Sequence, residues 1–253
     1  MAGRTHGQYA LPITFGFKVA IWASEVRRHL ERLDGCRTRV LVGQFAGAVG
    51  TLASVSKDGM EIQRLMLEDL DLHVPTISWH TARDGIAEFI TILGMISATL
   101  GKIAEKIVTL QRTEVAEVEE PFIMGKVGSS TMPHKRNPMI CEAVVGVAKL
   151  IRQQVPVAIE AMGHAHERDW ALIQMEWAFV PETCLFTAGA LAQTVRVICG
   201  LIVYPERMES NVGLIRGLIL SEAVRMPTIS STKPRWPLTI NSSPSRRRCS
   251  PSL

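Results

Sequence analysis

The stretch Gly128-Ser129-Ser130-Thr131-Met132-Pro133-His134-Lys135-Arg136-Asn137-Pro138 gathers the residues of this sequence best suited to chemistry. Its glycine and serines can expose backbone N–H groups, Lys135 adds a cation and Asn137 adds an amide donor. Such a set suits a small-molecule carboxylate, which accepts several hydrogen bonds and balances a positive charge. A Ser/Gly linker between two helices is the plain alternative, and the ordered sequence of serines, proline, lysine and asparagine argues against it. His6 and Glu142 are weaker signals on their own. A lone histidine near a terminus is ordinarily a solvated surface residue, and a glutamate near a helix N-terminus is an ordinary charge there. His164-Ala165-His166-Glu167 invites a metal reading, but an HxH step on a helix points its two rings to different sides, so no metal site is expected.

Helical periodicity supplies the scaffold for these residues. Phe15, Val19, Trp22, Val26, Leu30 and Leu33 recur near helical spacing, which predicts an amphipathic helix over 15–33 that stops near Asp34-Gly35. Gly43, Gly47 and Gly50 argue for close backbone approach or a loop entering a short helix, and a second helix is expected over 57–70. From Asp84 to about Val118 runs a long helix with a wide apolar face, of the kind that packs inside a bundle. Helical patterning resumes over 140–162 and 169–203, with Pro156 and Pro181 expected to kink those helices. No convincing strand is visible, so the expected fold class is all-α. Residues 227–253 hold five prolines, seven serines and the run Arg246-Arg247-Arg248, and read as a disordered or foreign tail.

The 253 residues are 47% hydrophobic and 21% charged, enough to bury a sizeable core. The net charge of +4 suits an anionic small substrate, while scattered basic residues and 6% aromatic content speak against nucleic-acid binding. The five cysteines are far apart and form no CxxC pair, so neither a zinc site nor a disulfide framework is signalled and a cytoplasmic location is expected. The apolar runs are interrupted by Lys, Arg or Glu, and the N-terminus lacks a signal-peptide pattern, so no membrane segment is expected.

Together with Gly3-Arg4-Thr5-His6-Gly7-Gln8 and the following Pro12, Thr14 and Gly16, the loop resembles the signature of the fumarase/aspartase superfamily of lyases. The likeness covers about residues 2–226 and implies a long-helix bundle, with 1–226 as a partial central helical-bundle domain. It also implies a homotetramer that needs no cofactor and builds each site from three segments, generally of three subunits. The common reaction removes a proton next to a carboxylate, passes through a dianion and expels a group to leave fumarate. On this resemblance Ser129 is the base, Ser130 and Lys135 stabilise developing charge, and Met132 and Asn137 contact substrate. Arg4, Thr5 and Gln8 bind substrate, His6 polarises or protonates the leaving group, and Glu142 pairs with that histidine across a subunit boundary. Arg168, within His166-Glu167-Arg168-Asp169, is a further substrate ligand. A serine has a high intrinsic pKa, so Ser129 can act as a base only where it is desolvated among positive charges.

Two branches share the Met-Pro-His-Lys-Arg-Asn-Pro form of the loop. Adenylosuccinate lyases usually follow the Arg168 segment with a serine pair and a second arginine that receive a phosphate. Here Trp170-Ala171-Leu172 follows instead. Glu176-Trp177, the stretch from Ala10 to Gly16 and Ser78-Trp79-His80-Thr81-Ala82-Arg83-Asp84 look more like the 3-carboxy-cis,cis-muconate cycloisomerases. In that branch His6 is the alternative base. The resemblance further implies that the upstream site segment and the helical C-terminal domain are missing. A catalytically inactive fragment with uncovered apolar faces is therefore a third expectation.

Overall fold

The computed structural model describes residues 1–55, 57–122, 132 and 135–220; the expected tail lies outside them. Strands β1 (Ala2–Thr5) and β2 (Gln8–Pro12) lead into helices α1 (Phe15–Val40), α2 (Gly59–Asp69) and α3 (Asp84–Gln111). Then come β3 (Val118–Glu119), α4 (Met139–Glu160), α5 (Trp170–Gly200), β4 (Ile202–Val203) and α6 (Pro205–Gly213), with a 3₁₀ turn at Leu218–Leu220. Helices dominate, as the all-α reading requires.

The core is built around α3. Ile90, Leu93, Ile96, Leu100, Ile103, Ile107 and Leu110 are all buried along it, and α1, α4 and α5 pack against it. Small residues on α3 set the approach of α4. A Cβ added at Gly94 would lie 2.5 Å from Cγ2 of Val155, and one at Gly101 would lie 3.0 Å from Cβ of Ala148. Between them the Ser97 hydroxyl is fully buried and donates to the Gly94 carbonyl at 2.7 Å. Larger side chains at these positions would drive the two helices apart.

Several element boundaries differ from the sequence expectation. α1 does not stop at Gly35 but runs to Val40. One helical glycine costs only about 1 kcal/mol, and burial of Cys36 against the core with Arg37 and Arg39 in the last turn outweighs it. α3 ends at Gln111 rather than near Val118, because Arg112 turns to an extended conformation and the Glu117 amide folds back onto the Leu110 carbonyl. α4 and α5 continue through Pro156 and Pro181.

The strands are a correction to the reading that none is present. β1 and β2 form an antiparallel hairpin pairing Arg4 with Tyr9 and Thr5 with Gln8. His6 and Gly7 make the two-residue loop, and both have positive φ, 51° and 78°, as a primed hairpin turn demands. Histidine tolerates that region better than most side chains, and glycine takes it freely.

A buried polar network joins α1 to α3. The Thr99 hydroxyl donates to Oε1 of Glu25 at 2.6 Å, so Nε2 of His29, 2.8 Å from the same oxygen, must be the donor there. Nδ1 of His29 then offers its lone pair to Nη1 of Arg32 at 3.2 Å, which fixes the neutral imidazole. Burial, then the Arg32 charge, holds the His29 pKa below its ordinary value. The unfolded chain therefore binds the proton first as pH falls, and the stability carried by the neutral ring is complete above about pH 6.5 and lost below it. Thermal denaturation followed between about pH 7 and about pH 5 should show a falling midpoint, and His29→Gln, which keeps a donor toward Thr99, should flatten the slope.

Candidate active site

Three acids on the segment that follows α3 tie Arg136, the start of α4, the hairpin and α6 together. Glu117 is fully buried and forms a two-pronged pair with Arg4, Oε1 to Nη2 at 2.8 Å and Oε2 to Nη1 at 3.0 Å. Asn211 on α6 donates a third bond to Oε1 at 3.0 Å. Glu119 accepts from Arg136 at 2.7 Å and from the Tyr204 hydroxyl at 2.6 Å. Glu120, also buried, accepts from the amides of Ile140 at 3.1 Å and Cys141 at 3.0 Å. Pro138 offers α4 no capping side chain, so Glu120 supplies the negative charge that a helix N-terminus favours. Burial, then the Glu120 carboxylate, pushes the Cys141 thiol far up, which leaves it an unreactive core residue.

The last residues of the loop, 135–138, line a cleft of ≈ 870 Å³ at the C-terminal end of α3. Lys135, Asn137 and Glu142 line it together with Gln111, Arg112 and Tyr204. Three of the residues singled out from sequence thus share one concavity. The Lys135 amide bonds the Met132 carbonyl at 3.0 Å, closing a turn just before the cleft. Ser129 and Ser130 lie outside the described residues.

The hairpin residues form a second group. Thr5, His6 and Gln8 are exposed at its tip, and His6 is not among the residues that line the cleft with Glu142. Arg4 is engaged within the chain: both terminal nitrogens of its guanidinium are held by Glu117, and its face lies over the Tyr9 ring at 4.9 Å. These contacts tether the hairpin to the segment after α3.

Arg168 belongs to a third group at the opposite end of α3. Its Nη2 donates to the Gly47 carbonyl at 3.2 Å and lies 3.0 Å from Nε2 of His80. Burial, then the positive charge of Arg168, holds the His80 pKa below its ordinary value. Nearby, Arg83 and Glu176 form a buried ion pair at 2.7 Å, with Arg83 over the Trp79 ring at 5.2 Å. Asp169 caps α5 by accepting from the amides of Ala171 and Leu172. Hydrogen bonds from backbone amides, that of Ala165 foremost, hold its carboxyl below the usual range. Among the described residues no three of His, Cys, Asp or Glu are placed to hold a metal ion.

The separation of the groups follows from α3 itself. Its 28 residues at a rise of ~1.5 Å span about 42 Å, with Arg83 at the N-cap and Arg112 at the C-cap. Lys135 and Arg168 of one chain therefore cannot meet on one small substrate. Glu117, Glu119, Glu120, Tyr204 and His80 carry roles that the motif reading did not assign. The signal for the acids was the run from Glu117 to Glu120 directly before the loop, too many carboxylates to bury without partners.

A family model described as a lyase matches residues 1–152. The chain is 46% identical over 224 residues to the N-acetyl-S-(2-succino)cysteine lyase of Enterococcus italicus, covering 88% of this chain and 49% of that protein. It is 47% identical over 222 residues to the adenylosuccinate lyase of Methanothermobacter thermautotrophicus, covering 87% and 49% respectively. The crystal structure of the 3-carboxy-cis,cis-muconate lactonizing enzyme from Pseudomonas putida superimposes with a TM-score of 0.82 at 39% identity, over 88% of this chain and 49% of that one. The chain thus spans about half the length of the curated relatives it matches.

The Arg4–Glu117 pair yields a direct test. Glu117→Gln should lower stability by about 3–5 kcal/mol in denaturant unfolding, since it strands a desolvated guanidinium, whereas the double change Arg4→Met with Glu117→Leu should recover most of the loss. Equal losses in the single and double variants would show that the cost is not that of a stranded guanidinium.

Proposed function

Because the chain belongs to this lyase family, within the fumarase/aspartase superfamily, we propose that it acts on a polycarboxylate by removing a proton next to a carboxylate. The observation that carries the reading is the convergence of Lys135, Asn137 and Glu142 on one cleft at the exit of the signature loop. A cation and an amide donor placed there can stabilise the charge that develops as the proton leaves, an interaction stronger in the transition state than in the ground state. In this proposal Ser129 is the base, Ser130 stabilises the developing charge and Met132 contacts substrate. Thr5, His6 and Gln8 contact substrate from the hairpin of another copy.

Within the superfamily we favour cycloisomerisation of a 3-carboxymuconate-like tricarboxylate. The N-terminus of α5 is already capped by Asp169, and the nearby Arg83 is neutralised by Glu176, so neither is open to a phosphate. Fumarate release from a succinylated thiol or nucleotide is the second reading, favoured by the relatives at 46% and 47% identity.

A homo-oligomer, a homotetramer by family analogy, is part of the proposal. Only association can bring the Arg168 end of one chain to the Lys135 end of another. α5 has the surface for it: Trp177, Leu185 and Val195 are exposed along it. By length and composition α3 and α5 could also cross a membrane, but α3 is the packed centre of the bundle and α5 presents the face a neighbouring subunit would cover. A cytoplasmic location belongs to the same proposal.

The purified chain should lactonise 3-carboxy-cis,cis-muconate, with fumarate release from adenylosuccinate and from N-acetyl-S-(2-succino)cysteine as the competing assays. Lys135→Ala should lower kcat by roughly 10²–10³-fold. Turnover of none of the three by an associated chain overturns the proposal.

A further inference from the structure

Tyr204 lies outside residues 1–152, on the connection between β4 and α6, yet it reaches the cleft. Its hydroxyl donates to Oε2 of Glu119, while Oε1 of the same carboxylate holds Nη1 of Arg136. The side chain of Glu119 is 13% exposed and that of Arg136 is 52% exposed. An ion pair with one partner so open to water is weak and free to swing, because solvent competes for the guanidinium. A second, charge-assisted bond from Tyr204 fixes the carboxylate, and the guanidinium then has a fixed target.

The Arg136 main chain is held as well. Its carbonyl accepts from Nε2 of Gln111 at 3.1 Å, and Oε1 of the same glutamine accepts from the Glu120 amide at 2.9 Å. The Arg136 guanidinium also lies over the Phe122 ring at 5.1 Å. Arg136 stands between Lys135 and Asn137, so its orientation dictates how both neighbours leave the backbone. We infer that Tyr204 is a positioning residue: acting through Glu119 and Arg136, it sets the direction in which Lys135 and Asn137 enter the cleft. The inference rests on the proposed function for its catalytic meaning, and on these contacts alone for its structural content.

Tyr204→Phe removes one hydroxyl and no packing volume. Hydrogen exchange in peptides covering residues 135–142 should quicken by roughly tenfold, fumarate as a test dicarboxylate should no longer slow it, and the thermal midpoint should stay unchanged. In turnover, kcat should fall by roughly tenfold with KM little altered, and Glu119→Gln, which breaks the same link, should show the same split. Exchange and fumarate protection equal to the parent chain would overturn the inference. So would a lowered midpoint with faster exchange throughout the bundle, the mark of a general packing role. If the parent chain turns over none of the candidate substrates, the proposed function falls while the exchange comparison still decides the positioning role.

Discussion

The C-terminal end of α3 is organised by the need to find partners for three acids, Glu117, Glu119 and Glu120, in a segment only four residues long. An ionised carboxylate taken out of water is strongly unfavourable unless it is paired and hydrogen-bonded. Each acid meets that demand from a different direction. Glu117 draws in the N-terminal hairpin through Arg4 and α6 through Asn211, Glu119 gathers Arg136 and Tyr204, and Glu120 caps α4. Elements far apart in sequence are thereby fixed around the exit of the signature loop. What begins as a desolvation problem ends as positional information for Lys135 and Asn137.

How much of this was legible in the sequence depended on how local the deciding interaction was. The apolar residues from Ile86 to Leu110 recur at three and four positions, and that pattern alone locates α3 and its burial. Its end is not legible there because Glu117, whose amide folds back onto Leu110 after the turn at Arg112, answers to Arg4, 113 positions away. Gly35 looked like a stop for the same kind of reason, since the core contacts that carry α1 past it come from other elements. The hairpin is faint in the sequence because strands of four and five residues joined by His-Gly give a weak period-two signal. The site followed the same rule. The placing of Lys135 and Asn137 on either side of Arg136 stands in the sequence, whereas the binding of Arg4 by Glu117 and the bond from Tyr204 to Glu119 are tertiary facts that no motif encodes.

The bundle makes the distances between these groups rigid. Gly94, Ser97 and Gly101 let α4 lie close along α3, and close packing of this kind leaves neither helix room to slide. The cleft at one end and the Arg168 cluster at the other are therefore held at a fixed separation set by the length of α3. Flexing of side chains cannot close a gap of one helix length.

That rigid separation has a consequence for dosage. If sites are assembled between copies, each chain lends its Lys135 end to one site and its Arg168 end to a different one. A defective copy then spoils more sites than its own share of the population. Dilution would remove activity faster than it removes protein, because whole sites depend on the meeting of several chains.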